Sequence, residues 1–311
     1  MSNNLTFAQK VRRGEKVVLY EILPPPKNLS KADLQISFSL FAQILKNNPI
    51  DGVNLPEVRE ETRSGKRSTP ELIKLEPRAV CSYLQKQGIS NLIVNRPVVY
   101  LPWEKQITWL KETYNKYNIY NFVLVGGESS KVSYPGPTVI EAARLITNKL
   151  RSEFPKMFLG GITIPSRTNE AERVLTKTLA GIEFFTSQVI YDSTDIKRLL
   201  KEYWQLCRRK NIKPKMIFLS FAPATTLGDI ELLRWLGVEI PQNTLKRLTA
   251  GWLGLGWRSI ETCQDVFKDI LDFVKTNAIG VPLGLNVGHI NKHNFELSFI
   301  LLKKLLKYYL L

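Results

Sequence analysis

Residues 16–26, KVVLYEILPPP, carry the pattern from which the fold can be worked out. The run 17–22 is apolar enough for a buried strand, and the three prolines that follow it keep the chain extended and stop a helix from starting at once. Glu21 interrupts the run close to its end. A carboxylate there gives up part of its hydration, so we expect it to have a function.

Seven further β-type runs follow, at 52–55, 92–100, 122–125, 157–164, 182–186, 216–221 and 279–287. Stretches with helical periodicity lie between and after them, at 34–46, 70–87, 104–117, 137–151, 169–180, 195–210, 230–235, 260–277 and 294–309. Pro70, behind Thr69, is interpreted as the first residue of its helix. Eight βα units in 311 residues predict a single (β/α)₈ TIM barrel domain spanning 1–311. An open doubly wound sheet is the alternative, because periodicity does not show closure.

Polar residues interrupt the apolar runs at the ends of the predicted strands, where the chemistry of a (β/α)₈ barrel is found. They include acids from two strands, and this favours an enzyme. The residues are Glu21, Asn54, Gly126, Gly127, Glu128, Thr163, Ser166, Arg167, Gln188, Asp192, Ser220, Asn286 and His289.

Glu21 is the most specific of these candidates. Burial raises the pKa of a carboxyl group, which would suit Glu21 to donating a proton near neutral pH; the alternative is a structural ion pair with a lysine. Gly126 and Gly127 would let a ligand approach the backbone closely, or form a plain tight turn. Gln188 offers a donor and an acceptor to a ligand, or is a satisfied loop amide. The stretch GWLGLGW (251–257) lacks the context of a dinucleotide fingerprint and is interpreted as loop or helix packing.

The composition narrows the classes of function. With 44 Lys and Arg against 28 Asp and Glu, the net charge of +16 attracts polyanions or solvates the surface. Aromatic residues are not interleaved with basic ones, and this disfavours nucleic-acid binding. The apolar runs are too short for a membrane span and no signal peptide is visible, while three scattered cysteines favour a reducing, cytoplasmic location. Two histidines and no cysteine cluster predict no metal site.

Four motifs resemble, in order and spacing, the methylenetetrahydrofolate reductase family over nearly the whole chain: YEILPPP (20–26), VLVGGE (123–128), FFTSQVIYD (184–192) and FAPATTLGDIELLRWLGVEIP (221–241). The resemblance implies a (β/α)₈ oxidoreductase of one-carbon metabolism that serves methionine biosynthesis. Glu21 matches the family's general acid, which helps open the N5–N10 methylene bridge of the folate to an iminium ion that accepts hydride. Gln188 and Glu128 would bind the pterin, and Glu128 stands where flavin-dependent members carry an aspartate.

The departures from the family concern the cofactor. The segment from Pro165 to Lys177 lacks the longer flavin-holding loop, Arg96 aligns with a histidine of flavin-dependent members, and Asn54 aligns with their threonine. The chain therefore resembles the shorter branch, in which NAD(P)H delivers hydride directly to the folate. Lys177 matches a lysine that binds flavin phosphate, so FAD stays an alternative. The expected substrate contacts are Glu128, Gln188, Asn54 and Arg96, and the expected cofactor contacts are Gly126, Gly127, Thr163, Arg167 and Lys177.

The partners follow from the same resemblance. Arg96, Arg167 and Lys131 are expected in βα loops, where they could meet the glutamate tail of a folate. The apolar C-terminal segment SFILLKKLLKYYLL is either the last barrel helix or a subunit contact. A homo-oligomer and an electron-transfer partner subunit both stay open. The alternative from another class is a non-catalytic barrel that binds nucleic acid or a partner subunit through its basic surface.

Overall fold

The computed structural model describes residues 5–59, 73–127, 132–250 and 254–310. Eight strands form a closed barrel in sequence order, and the (β/α)₈ prediction is confirmed, whereas the open sheet is wrong. The strands are β1 (Val18–Glu21), β2 (Gly52–Pro56), β3 (Leu92–Pro97), β4 (Asn121–Val125), β5 (Phe158–Thr163), β6 (Phe184–Val189), β7 (Met216–Phe221) and β8 (Leu283–Gly288).

Helices alternate with the strands, and three of them lie outside the simple βα repeat. A helix precedes β1, and three helices rather than one separate β7 from β8. The helices are α1 (Phe7–Arg13), α2 (Lys31–Lys46), α3 (Pro77–Lys86), α4 (Trp103–Tyr117), α5 (Val139–Leu145, continued by a π-turn at Ile146–Leu150), α6 (Glu170–Leu179), α7 (Thr194–Arg209), α8 (Leu227–Trp235), α9 (Gln242–Thr249), α10 (Leu255–Thr276) and α11 (Phe295–Tyr309, preceded by a 3₁₀ turn at Lys292–Asn294).

The sequence missed α1 and placed the start of α3 too early. α1 has seven residues, too few for a clear period, but Thr6 and Gln9 form the capping box that starts it. α3 begins at Pro77, and Pro70 and Thr69 lie outside the described residues. The residues before α3 pair instead with the proline segment: Lys27 N donates to Ile73 O at 2.8 Å and Leu75 N to Pro25 O at 2.8 Å.

The described residues divide into two compact units. The first holds the residues before Thr163 together with Lys177–Phe184, and so contains β1–β4 and most of β5. The second holds Thr163–Thr176 and the residues after Phe184, and so contains most of β6 with β7 and β8. The single domain predicted for 1–311 stays a prediction.

Aromatic rings fill the first unit where its strands begin. Phe7 of α1 meets Phe158 and Phe184 edge to face, with ring centroids 5.7 and 5.4 Å apart. Phe158 and Phe184 stack on each other at 5.1 Å. A Cβ at Gly160 would lie 2.4 Å from the Phe184 ring, so only glycine fits there. All three rings are buried, and α1 therefore closes the amino ends of these strands with apolar contact.

Charged side chains around the same strand beginnings are paired. Glu183 accepts hydrogen bonds from Arg12 Nε at 2.8 Å and Arg151 Nη2 at 2.6 Å. Asp51 binds Lys10 Nζ at 2.6 Å and also accepts from the backbone N–H that opens β1, at 2.8 Å. Each carboxylate thus joins α1 to the strand layer.

In the second unit the last helices pack tightly on β8. Tyr309 of α11 donates to Leu283 O at 2.8 Å, and Leu301, Leu302 and Leu305 are fully buried. The C-terminal segment is therefore the last barrel helix. Gly256 of α10 leaves no room for a side chain, because a Cβ there would lie 2.7 Å from Leu297. This confirms helix packing for the described part of GWLGLGW.

Two further expectations from composition can be compared with the structure. The three cysteines, Cys81, Cys207 and Cys263, are buried free thiols. None of the helices in the described part of the chain combines the length and apolarity needed to cross a bilayer.

Candidate functional site

Glu21 and Asn54 meet where β1 and β2 end. The two residues are partners in the parallel register, and Asn54 Nδ2 donates to Glu21 Oε2 at 2.6 Å. Ile22 N also donates to the backbone O of Asn54 at 2.9 Å, which holds the two strand ends together. Asn54 is fully buried, while Glu21 is half-buried. The structure thus brings two of the predicted site residues into direct contact.

The carbonyl oxygen of the Asn54 amide accepts no hydrogen bond from the described residues. This atom, Oδ1, is buried. A buried acceptor without a partner costs free energy, and few are left so in folded proteins. Asn54 therefore has an unused acceptor while its donor holds Glu21.

Asn95 lies on the same face of the barrel wall and was not predicted. Asn54 is the register partner of Ile93, and alternate residues of a strand share a face, so Asn95 stands two residues further along, toward the strand's carboxyl end. It is 7% exposed, and its Oδ1 also lacks a partner among the described residues. The only signal in the sequence is a polar residue inside the run LIVNRP (92–97).

Arg96 faces the other way, and its predicted place in a βα loop is wrong. It belongs to β3 and is 2% exposed. Its Nε donates to Gln106 Oε1 at 3.0 Å, its Nη1 to Glu57 Oε2 at 2.6 Å, and its guanidinium lies 4.2 Å from the Trp109 ring centre. Burial lowers the pKa of Arg96, and the Glu57 carboxylate opposes that shift. Arg96 joins β3 to α4, and its role in substrate binding stays a prediction.

The glycines after β4 have different surroundings from each other. A Cβ on Gly127 would lie 2.3 Å from the Tyr134 ring, so the close approach is made by Tyr134. A Cβ on Gly126 would meet Val139 at an ordinary 3.6 Å. Glu128 and Lys131, both named from the sequence, lie outside the described residues.

Lys177 and Thr163, predicted to hold the cofactor, have partners within the protein. In the first unit, Lys177 Nζ donates to Ile162 O at 2.7 Å. In the second unit, Thr163 Oγ1 donates to Glu170 Oε1 at 3.0 Å. Lys177 thus binds a strand carbonyl and Tyr134 covers Gly127, and the cofactor contacts predicted for these residues stay predictions.

Arg167 lies in the second unit, at the turn after β5. It is exposed and lines a cleft of about 360 Å³ together with Asp195, Arg198 and Glu202. Arg198 is paired with Asp195 at 2.8 Å. The cleft therefore carries both signs of charge, and the binding roles of Arg167 stay predictions.

Gln188 and Asn286 also belong to the second unit. Gln188 Nε2 donates to Leu236 O at 2.8 Å, so its donor joins β6 to the end of α8. Asn286 is the register partner of Ser220 and donates to Ser220 Oγ at 3.0 Å. The Oδ1 of Asn286 is buried without a partner in the described chain. Contact of Gln188 with a pterin stays a prediction.

An aromatic cluster that sequence reasoning missed follows β2, β3 and β4 in the first unit. The Arg59 guanidinium lies 5.0 Å from the Tyr100 ring centre, and Tyr100 meets Tyr134 edge to face at 5.3 Å. Glu57 accepts from Arg59 Nε at 2.8 Å. One carboxylate thus holds both Arg59, on the solvent side, and Arg96, inside the wall.

Comparison with known proteins shows similarity in fold but no match in sequence family. Neither a family model nor a curated protein matches the sequence. An uncharacterized protein from Clostridium thermocellum that binds two copies of 5-methyl-5,6,7,8-tetrahydrofolic acid is 21% identical, with a TM-score of 0.78 over 96% of this chain and 98% of that one. The tryptophan synthase complex from Pyrococcus furiosus is 11% identical, with a TM-score of 0.49 over 93% and 96% of the two chains. The similarity to the Clostridium protein supports the (β/α)₈ fold.

Proposed function

We propose that the chain binds a reduced folate at the carboxyl ends of β1–β3 and reduces its one-carbon group from the methylene to the methyl level. The observation that carries the proposal is the carboxyl group of Glu21 held by Asn54 at 2.6 Å, beside a buried acceptor without a partner. The structural neighbour supports the ligand class, because it binds 5-methyl-tetrahydrofolate, the product of this reaction.

Glu21 acts as the general acid in this proposal. It gives a proton to N10 as the bond between N10 and the bridging carbon breaks, which leaves an iminium ion between N5 and that carbon. A hydride from NAD(P)H then adds to the carbon and forms the N5-methyl group, so one hydride and one proton are consumed per turnover. A positioned acid contributes about 10²–10⁴-fold to such a step.

Asn54 orients the acid. A carboxyl group on a flexible side chain samples several rotamers, and a hydrogen bond from a fully buried amide restricts it to those that keep the contact. Since Asn54 sits on the neighbouring strand in register with Glu21, the barrel wall itself sets the direction of the carboxyl group. The family resemblance names Glu21 as the acid, and this geometry supports the proposal.

The hydride source in the proposal is NAD(P)H, acting directly on the folate. The alternative route through FAD requires contacts that Lys177 and Gly127 do not offer in their observed surroundings. The absorbance spectrum of the purified protein separates the two routes. About one flavin per chain would favour the FAD route, and a colourless protein that oxidises NAD(P)H with methylene-tetrahydrofolate would favour direct transfer.

The catalytic proposal is tested with Glu21→Gln, which keeps the size of the side chain and an oxygen that can accept from Asn54 but removes the acid. We expect 5-methyl-tetrahydrofolate to bind with little change and its formation to fall steeply. Lys27→Gln, at an exposed position after the prolines, is the matched control and should leave both unchanged. If Glu21→Gln turns over at the wild-type rate, Glu21 is not the acid.

A further inference from the structure

We infer that Asn95 reads the folate ring: its Oδ1 accepts a hydrogen bond from a ring N–H or amino group of the bound pterin and makes the site selective for donors. The inference rests on the proposed function and deepens it. Neither the sequence motifs nor the family resemblance assigns a role to Asn95.

The strand register places Asn95 on the face that carries the acid. Glu21, Asn54 and Ile93 are successive register partners across β1, β2 and β3. Asn95 follows Ile93 by two residues and so shares its face. Adjacent strands lie about 4.8 Å apart and each residue rises about 3.3 Å, so Asn54 and Asn95, offset by two residues, lie roughly 8 Å apart. A ring that contacts the Asn54 oxygen can therefore also reach Asn95.

The surroundings of Asn95 explain why its oxygen has no partner. Its register neighbours are Pro56 on β2 and Val123 on β4, and neither side chain can donate a hydrogen bond. Asn95 is nevertheless 7% exposed, with Oδ1 buried. A leucine would fill the same place without an unsatisfied acceptor, so the asparagine costs the folded chain stability. A donor from outside the chain removes that cost.

Asn121 shows what an asparagine with only a structural role looks like in the same unit. It begins β4, is 8% exposed, and its Nδ2 donates to Leu92 O at 3.1 Å, across to β3. It stands at the amino end of its strand, away from the carboxyl ends where Glu21 and Asn95 lie. The two asparagines are alike in burial, but Asn121 donates to a strand carbonyl whereas the Oδ1 of Asn95 has no partner in the described chain.

The chemistry of the ligand follows from two acceptors on one face. The Oδ1 atoms of Asn54 and Asn95 both require donors, so they fit an edge that presents N–H groups and disfavour carboxylates. A tetrahydropterin carries such donors at its 2-amino group and at N3 and N8. The glutamate tail of a folate, which carries only acceptors at its end, does not fit here.

The inference is tested by calorimetric titration of 5-methyl-tetrahydrofolate into wild type, Asn95→Leu and Asn121→Leu, with thermal unfolding of each free protein. We expect Asn95→Leu to weaken binding tenfold or more and to unfold at the same or a higher temperature. Asn121→Leu should lower the unfolding temperature and leave the affinity unchanged. A merely structural Asn95 would give the opposite pattern, with lower stability and unchanged affinity, and would overturn the inference.

A second measurement identifies which donor Asn95 accepts from. Analogues that lack one donor each, with the 2-amino group replaced by methyl, N3 methylated or N8 replaced by carbon, should bind wild type more weakly, and for one of them the further loss caused by Asn95→Leu should disappear. If the variant weakens all ligands by the same factor, Asn95 reads no donor. If wild type binds no folate at all, the proposed function fails; if wild type binds and Asn95→Leu binds equally well, only the inference on Asn95 fails.

Discussion

In the first unit, the amino ends of the strands differ from the carboxyl ends in how completely their side chains are packed and hydrogen-bonded. At the amino ends, Phe7, Phe158 and Phe184 fill the space, and Glu183 joins two arginines. At the carboxyl ends, Asn54 and Asn95 leave acceptor oxygens buried without partners in the described chain. In (β/α)₈ enzymes the amino ends of the strands usually serve stability and the carboxyl ends serve binding, and the proposed folate site follows that division.

The largest effect is expected at the carboxyl ends, with Glu21→Gln. Because the acid is needed only in the transition state, kcat should fall by about 10²–10⁴-fold while the unfolding temperature stays within a degree or two. The measurement is steady-state formation of 5-methyl-tetrahydrofolate, with thermal unfolding alongside. A large loss of stability would mean that the two ends are not separate in function.

Phe7→Ala should have the largest effect on stability at the amino ends. Removing a buried phenylalanine that contacts two other rings costs about 3–5 kcal/mol. Folate affinity in the variant that remains folded should be unchanged, because Phe7 lies at the opposite end of the strands from Glu21. Denaturant unfolding gives the first quantity and titration at low temperature the second.

Glu183→Gln should cost less, about 1–2 kcal/mol. The carboxylate is only 11% exposed, but its partners Arg12 and Arg151 are 50% and 35% exposed, so water takes over part of the lost interaction. The control is Glu15→Gln, which removes the exposed pair with Arg13 at 3.7 Å and should cost under about 0.5 kcal/mol. Equal losses in the two variants would show that Glu183 does not anchor α1.

The smallest effect is expected for the buried cysteines, which should not react with a thiol reagent while the protein is folded. Burial raises the pKa of Cys263 to about 12 and that of Cys81 well above its usual range. Since the thiolate is the reactive form, native protein at pH 8 should take up almost no iodoacetamide, whereas the unfolded chain should take up three equivalents, one for each cysteine. Rapid labelling of the native protein would show that the structure around the cysteines opens.

The sequence could predict the barrel and the placing of polar residues toward the carboxyl ends of its strands, because both depend on where apolar runs end. Glu21 ends β1 as expected, whereas Asn54 lies two residues before the end of β2, and the hydrogen bond between them is seen only in the structure. The family resemblance implies that Glu21 is the general acid, but it does not identify Asn54 as the hydrogen-bond partner of Glu21.

The sequence predicts less reliably whether a strand residue points into the barrel or toward the surrounding helices. Arg96 and Asn95 are adjacent, and a shift of one residue moves a side chain to the opposite face. The predicted run 92–100 extends beyond β3, which ends at Pro97, and Arg96 is named as a substrate contact because it aligns with a histidine of the resembled family. The structure points Arg96 to α4 and leaves Asn95 on the face of Glu21.

Gly127 shows a second limit. A glycine pair after a strand predicts a close approach, but not what approaches. Here it is Tyr134, from within the same connection, and only the packed structure could say so.

The position of α1 has a consequence for the newly made chain. Arg12 is separated from its partner Glu183 by 171 residues, and the phenylalanine partners of Phe7 are similarly distant. At a synthesis rate of about 5–20 residues per second, roughly ten to thirty seconds pass before those partners leave the ribosome. α1 is therefore made well before the residues it packs against, and its apolar side stays uncovered during that interval.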